Sequence, residues 1–258
     1  MSQLPVLAVA PIEKIRPHED FDPIRVDRLK NRIAGDGTQL NPMVCTLAPD
    51  GSYVLLDGAT RREAFHRLGL PHAVVQVVDP KTVSLGTWHH VLREGERDRL
   101  ESSIASNPSI RAVDDSGTPR INISGSGWMT ITPVDVSGNA ALNSLVSCYR
   151  GQFTVARFTD PSEKAVSRTH DDWVAIVEFP ALTIEDVMEA ATRSDHVPAG
   201  ITRFVVPARA LRLSIGLDFL RDPAGTSVKQ ERLDDILASR DREGRIRRYD
   251  EPVIILDD

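Results

Sequence analysis

The run Tyr53-Val54-Leu55-Leu56-Asp57-Gly58-Ala59-Thr60-Arg61-Arg62 places an acid, a glycine, a hydroxyl and two guanidiniums where an apolar strand gives way to a helix. A helix starting there presents unpaired N–H groups and the positive end of its dipole. Arg61 and Arg62 in its first turn oppose that dipole, and a bound anion would relieve the conflict. Phosphate fits best, because its oxygens match the guanidinium fork. The competing reading is a plain strand-to-helix turn, capped by Asp57 and Thr60, with solvated arginines.

Three further groups could do chemistry. His18-Glu19 sits in a loop before a helix, where a carboxylate could act as general base toward a hydroxyl or simply face solvent. In Trp88-His89-His90 the adjacent histidines point in different directions on most backbones, which argues against a shared metal. That leaves either an aromatic and an imidazole in a pocket or a Trp anchor flanked by exposed histidines. Pro198-Ala199-Gly200-Ile201-Thr202-Arg203-Phe204, running on through Pro207-Ala208-Arg209-Ala210-Leu211, shapes a loop that delivers a hydroxyl donor and a cation to the start of a strand, or else a tight turn with a solvated arginine. His170-Asp171-Asp172 reads as a turn with solvated charges. Ser124-Gly125-Ser126-Gly127 lacks the Lys-Ser/Thr of a phosphate loop and reads as a hairpin.

These residues need elements to position them. A strand is expected within 5–16, then a helix capped by Asp22-Pro23 with Ile24, Val26, Leu29 and Ile33 on its apolar stripe. Strands at 41–47 and 53–56 turn at Asp50-Gly51. A helix over 60–68 and a strand over 73–78 complete a β-α-β-β-α-β run within 5–80. Beyond it, 83–100 reads as an edge strand or loop entering an exposed charged helix, and 104–160 as short strands with polar turns. A strand at 172–179, a helix over 183–193 with the Thr183/Asp186 capping box, and a strand at 201–206 follow. Residues 208–220 are mixed, 231–240 helical, and Val253–Leu256 a final strand.

With 258 residues, 41% hydrophobic and 26% charged, the chain has room for one large or two modest cores. A net charge of −6 argues against a protein that coats nucleic acid. Arginines number 26 against five lysines, so arginine abundance alone marks no site. Cys45 and Cys148 stand far apart without a CxxC, which supports neither a disulfide scaffold nor a thiolate zinc site. No signal peptide or membrane-spanning run is read, and the cytoplasm is the expected compartment.

Taken in order, the pieces resemble a known family. Residues 7–80 look like the ParB/sulfiredoxin fold, in which a Gly-x-x-Arg turn, here Gly58-Ala59-Thr60-Arg61, holds nucleotide phosphates. The series Leu55-Leu56-Asp57-Gly58-Ala59-x-Arg61, then 71–79, then Leu85-Gly86-Thr87-Trp88-His89, then 198–203, resembles the free L-serine kinases, including siderophore-precursor enzymes that make O-phospho-L-serine. The resemblance implies Glu19 as the base for the serine hydroxyl, with Asp57 beside it for substrate or magnesium. It implies Gly58, Ala59, Thr60, Arg61, Arg62 and Arg203 on the phosphates, and Trp88, His89 and Thr202 on the amino acid. The substrates would be L-serine and ATP or ADP, with Mg²⁺. Ala59, Thr60 and Phe204 stand where some members of that family have histidines.

The expected fold class is mixed α+β: a nucleotide-binding unit over 1–82 and a β-rich α/β unit over 83–258 that completes the pocket. No membrane or nucleic-acid partner is expected, and a homodimer is compatible with the sequence. The main competing function is a ParB-like, nucleotide-binding DNA regulator. It calls for a helix-turn-helix where 100–180 reads as strands. A sulfiredoxin-like reductase would need a cysteine in the phosphate turn, and residues 59–61 are Ala-Thr-Arg.

Overall fold

A five-stranded and a six-stranded sheet organise the chain in the computed structural model, which describes residues 4–249. The first sheet opens with β1 (Val6–Pro11) and β2 (Ile15–Pro17). Helix α1 (Pro23–Asp36) then starts where Asp22 accepts from the Ile24 and Arg25 amides, and it ends at left-handed Gly37. Val26 and Ile33 of its stripe are buried, whereas Ile24 is exposed.

Strand β3 (Thr38–Gln39) leads to the hairpin β4 (Met43–Leu47) and β5 (Tyr53–Asp57), followed by α2 (Ala59–Arg67) and β6 (His72–Val77). The strand order is β1-β6-β4-β5-β2, with β4/β6 and β2/β5 parallel. Alternation along β5 sends Leu55 into the core shared with Val26, Ile33 and Phe65, and Val54 and Leu56 to the opposite face.

Residues 83–100 hold two strands where an edge strand or loop leading into a charged helix was expected. They form β7 (Ser84–Thr87) and β8 (His89–Arg93), and the charged helix α3 (Arg97–Ser106) starts only at Arg97. Strand β8 lies inside the second sheet, because Val91 and Leu92 feed apolar clusters on its two faces. Then come β9 (Ile110–Val113), β10 (Arg120–Ile123) and β11 (Gly127–Pro133), the last two joined by the expected 124–127 hairpin.

Helix α4 (Gly138–Ser147) lies within the stretch read as strands. Ser137 caps it, and Ala141, Leu142, Leu145 and Val146 form a buried helical stripe that the surrounding turn residues mask in the sequence. Strand β12 (Thr154–Phe158), α5 (Glu163–Ser167) and β13 (Trp173–Glu178) complete the six-stranded antiparallel sheet, in the order β12-β8-β13-β10-β11-β9.

Helix α6 (Ile184–Arg193) carries the full capping box, and its Val187 and Ala191 cover Val44, Val54 and Leu56 of the first sheet. Strand β14 (Thr202–Val205) pairs with β7 as a two-stranded ribbon, and Leu85 and Phe204 close over the same face.

The C-terminal segment returns to the first sheet through β15 (Ile215–Gly216), α7 (Leu217–Arg221) and α8 (Thr226–Arg242). Helix α8 begins earlier than the 231–240 read from the sequence. Leu213, Ile215, Leu217, Leu220 and Leu233 join the first core. The Gln230 amide accepts from the Val9 N–H and donates to the Leu7 carbonyl, which satisfies the free edge of β1. The strand expected at Val253–Leu256 lies outside the described residues.

Candidate active site

A cleft of about 940 Å³ opens where β5, the start of α2, one face of α1 and the β14 ribbon meet. Glu19, Asp57, Gly58, Ala59, Thr60, Arg61, Trp88, Thr202 and Arg203 all line it. They arrive from chain positions up to 184 residues apart because residues 18–20 and 197 are stitched together. Asp20 N–H donates to the Val197 carbonyl, and Val197 N–H donates to the His18 carbonyl. Trp88 N–H in turn donates to the Ile201 carbonyl, which fixes the indole beside the same loop.

Glu19 Oε2 accepts from Gly200 N–H at 2.9 Å and from the Thr202 hydroxyl at 3.1 Å. Burial pushes its pKa up to about 7, outweighing those two hydrogen bonds; Asp57 adds to the rise and Arg157 opposes it. Gly200 has a φ of 73°, and a Cβ at that position would run into the Arg157 guanidinium, so the loop needs glycine there.

Asp57 goes the other way. Burial alone would raise its carboxyl, but the charges of Arg61 and Arg209 hold it below the ordinary value. Asp57 Oδ2 takes Arg61 Nη2 at 3.1 Å and also pairs with Arg209 Nη1.

At Gly58, φ is 114° and a Cβ would come within 3.1 Å of Met43 Cγ. The first helical bond of α2 runs from Arg62 N–H to the Gly58 carbonyl. The N–H groups of Ala59, Thr60 and Arg61 therefore remain available at the positive end of the helix.

Two expected site residues lie elsewhere. Arg62 turns its Nε to the Ile15 carbonyl and its guanidinium to Glu63, because the helix rotates position 62 away from the cleft. His89 is buried in β8, where Nδ1 accepts from Phe179 N–H. Its neighbour His90 points the opposite way, to the Tyr149 hydroxyl. Neither histidine is exposed. Arg61 lines the cleft, but its side chain is already bonded to Asp57 and to the Asn41 and Pro42 carbonyls, so local groups balance the charge that seemed to demand an anion. Asp172, expected as solvated, forms a two-point pair with Arg93.

Sequence reasoning missed several residues of the site. Arg25, Arg28 and Arg32 line the cleft from α1, and their i, i+3, i+7 spacing was readable as one helical face. Arg157, from β12, carried no local pattern, and Arg209 stood within the 198–211 series but was given no role. His18 was visible beside Glu19 but was given no role. Arg203 stacks its guanidinium over the Trp88 ring, 5.2 Å from the centroid. The cleft thus combines one poised carboxyl, one fixed carboxylate, free helix N–H groups and several cations. That inventory suits proton abstraction beside a polyphosphate.

No protein-family model matches the chain. It is homologous to the ATP-dependent L-serine kinase SbnI of Staphylococcus aureus, with 25% identity over 221 residues, 83% of this chain and 84% of that protein. The structure of SbnI with a C-terminal truncation superposes with a TM-score of 0.73 at 22% identity, covering 91% of this chain and 96% of that one. A free serine kinase in complex with AMP superposes with a TM-score of 0.74 at 16% identity, covering 85% and 95%. The mixed α+β fold built here from two sheets and their connecting ribbon is the fold of those structures.

Proposed function

We propose that the chain is a kinase that transfers a phosphoryl group from ATP to the hydroxyl of free L-serine, giving O-phospho-L-serine. The observation that carries this reading is the divergence of two carboxyls in one cleft: Glu19 titrates near 7 while Asp57 is held ionised. Environments that drive two acids apart assign the base and the fixed charge. Homology to a kinase of that name and a fold shared with free serine kinase structures support the same reading.

Phosphoryl transfer depends on positioning and charge neutralisation more than on covalent participation by the protein. Glu19 takes the proton of the serine hydroxyl. The N–H groups at Ala59, Thr60 and Arg61 hold the phosphates, Gly58 letting the backbone approach them. Arg203 neutralises phosphate charge, and Trp88 and Thr202 line the space for the amino acid. ADP is the alternative donor.

Mg²⁺ fits as an ion carried by the nucleotide. Among the described residues no three carboxylate, imidazole or thiolate groups converge, and such an ion is commonly held by one or two carboxylates plus phosphate oxygens. Asp57 would hold it, and when bound it offsets phosphate charge. In this reading a ParB/sulfiredoxin-type unit within residues 1–82 supplies the nucleotide cradle, and Trp88 and Thr202 from the chain beyond it complete the amino-acid pocket, while 213–242 returns to the first core. The enzyme would act in the cytoplasm, supplying a siderophore or amino-acid precursor. No helix among the described residues is long and apolar enough to cross a membrane.

Phosphorus NMR of the protein with L-serine, Mg²⁺ and either ATP or ADP tests the reading. A phosphoserine resonance that disappears in Glu19→Gln is the expected result. Absence of product with both donors would overturn it.

A further inference from the structure

Thr202 Oγ1 lies 3.1 Å from Glu19 Oε2 and 3.0 Å from His18 Nε2, yet a hydroxyl has one proton to give. The other ring nitrogen of His18, Nδ1, lies 2.6 Å from the Leu55 carbonyl oxygen. A carbonyl only accepts, so Nδ1 carries a proton, and in the neutral imidazole Nε2 is a bare acceptor. His18 is buried, and Phe204 packs edge-on against it at 5.7 Å between ring centroids. Burial lowers the imidazole pKa to about 4, against the Leu55 bond, which keeps the ring neutral.

Two acceptors therefore face one hydroxyl proton. When Glu19 is ionised, Thr202 donates to the carboxylate and Nε2 is left without a donor. When Glu19 is protonated, its O–H donates to Thr202 Oγ1 and Thr202 donates to Nε2. Every donor and acceptor along the chain is then paired, which matters in a buried site.

We propose that His18 is a positioning residue for the base: acting through the Thr202 hydroxyl, it stabilises the proton that Glu19 takes from the substrate. The inference rests on the kinase reading for the source of that proton. The substrate O–H bond breaks as the carboxyl O–H bond forms. Thr202 keeps its own proton and turns it from Oε2 to Nε2, and no further reactant is needed. The chain favours the acid form of Glu19 and so raises the pH at which the base is half protonated. Around the pair, Asp57 on β5 raises both groups, Arg157 on β12 lowers Glu19, and His196 before β14 lowers His18.

Nitrogen-15 NMR of the histidine-labelled protein tests this without turnover. The chain has seven histidines, and His18→Gln identifies the resonance of interest. The expected result is a His18 ring protonated on Nδ1, with an Nε2 shift that moves in step with the Glu19 carboxyl carbon. That movement should vanish in Thr202→Val and persist in Thr202→Ser. A ring protonated on Nε2, or an Nε2 shift that stays flat while Glu19 titrates, overturns the proposal.

The kinetic counterpart is His18→Leu, which should move the acidic limb of kcat/KM down by about one pH unit, a tenfold change on that side. A limb that stays in place while the plateau falls marks a merely structural role and also overturns it. A coupled Nε2 shift in a protein that makes no phosphoserine would sink the kinase reading alone. A flat shift in an active enzyme would sink the His18 role alone.

Discussion

Glu19 and Asp57 face the same cleft with opposite electrostatic fates, and the pH dependence follows from that. A base must be ionised to accept a proton, so kcat/KM should fall as pH drops below about 7, where Glu19 gains its proton. A pH–rate profile flat from 6 to 8 (roughly one decade either side of that midpoint) would contradict the assignment. Replacing Glu19 by Gln removes the base and should cost about 10²–10⁴ in kcat. The same variant should be the more stable protein at alkaline pH. The Glu19 pKa rises from 4.5 toward about 7 on folding, so its stabilising contribution is complete below 4.5 and lost as pH climbs through 7. Thermal melts at pH 8 should therefore place Glu19→Gln above the parent, by about 2–4 °C for each kcal/mol regained.

At the scale of elements, the decisive join is β5 to α2. Gly58 adopts a left-handed φ between a buried strand and the first N–H groups of the helix, and an added methyl would press on Met43 and Arg61. Gly58→Ala should force that turn open at a cost of about 1–3 kcal/mol. The expected readout is a roughly tenfold or greater loss of ADP affinity by calorimetry, with L-serine binding much less affected. Unchanged ADP affinity would remove the turn from the nucleotide site. The loop before β14 is the second join. Gly200→Ala would collide with Arg157 and displace the N–H that holds Glu19. Losing that hydrogen bond should raise the pH midpoint of activity, which a pH–rate profile would register as an acidic limb moved upward.

On the scale of the whole molecule, the C-terminal return from 213 to 242 belongs to the first core. Leu233 is fully buried there, and Leu233→Ala should cost about 2–5 kcal/mol, seen as a lower melting temperature. A chain ending at residue 212 would leave one face of the first sheet open and the β1 edge without Gln230. It should therefore be rapidly proteolysed, whereas protease resistance equal to the parent would show that the return is dispensable. The cleft depends on both sheets, since β5 supplies Asp57, β12 supplies Arg157 and the ribbon supplies Thr202 and Arg203.

Local pattern was enough to locate α1 with its Asp22 cap, the β4–β5 hairpin, the turn at Gly58 and the capping box of α6, because each depends on residues within a few positions of one another. Glu19, Trp88 and Thr202 stood out from local residue types and took their roles from motif resemblance, and Ala141, Leu142, Leu145 and Val146 were overlooked because polar turn residues surround their helical stripe. Tertiary structure alone decided that Arg62 and His89 leave the cleft and that Arg157 and Arg209 enter it. Which face a side chain takes depends on strand register and helix rotation against distant partners. The raised pKa of Glu19 has the same origin. Desolvation in the assembled cleft sets it, against hydrogen bonds from a loop some 180 residues away, and no local reading of residues 18 and 19 contains that desolvation.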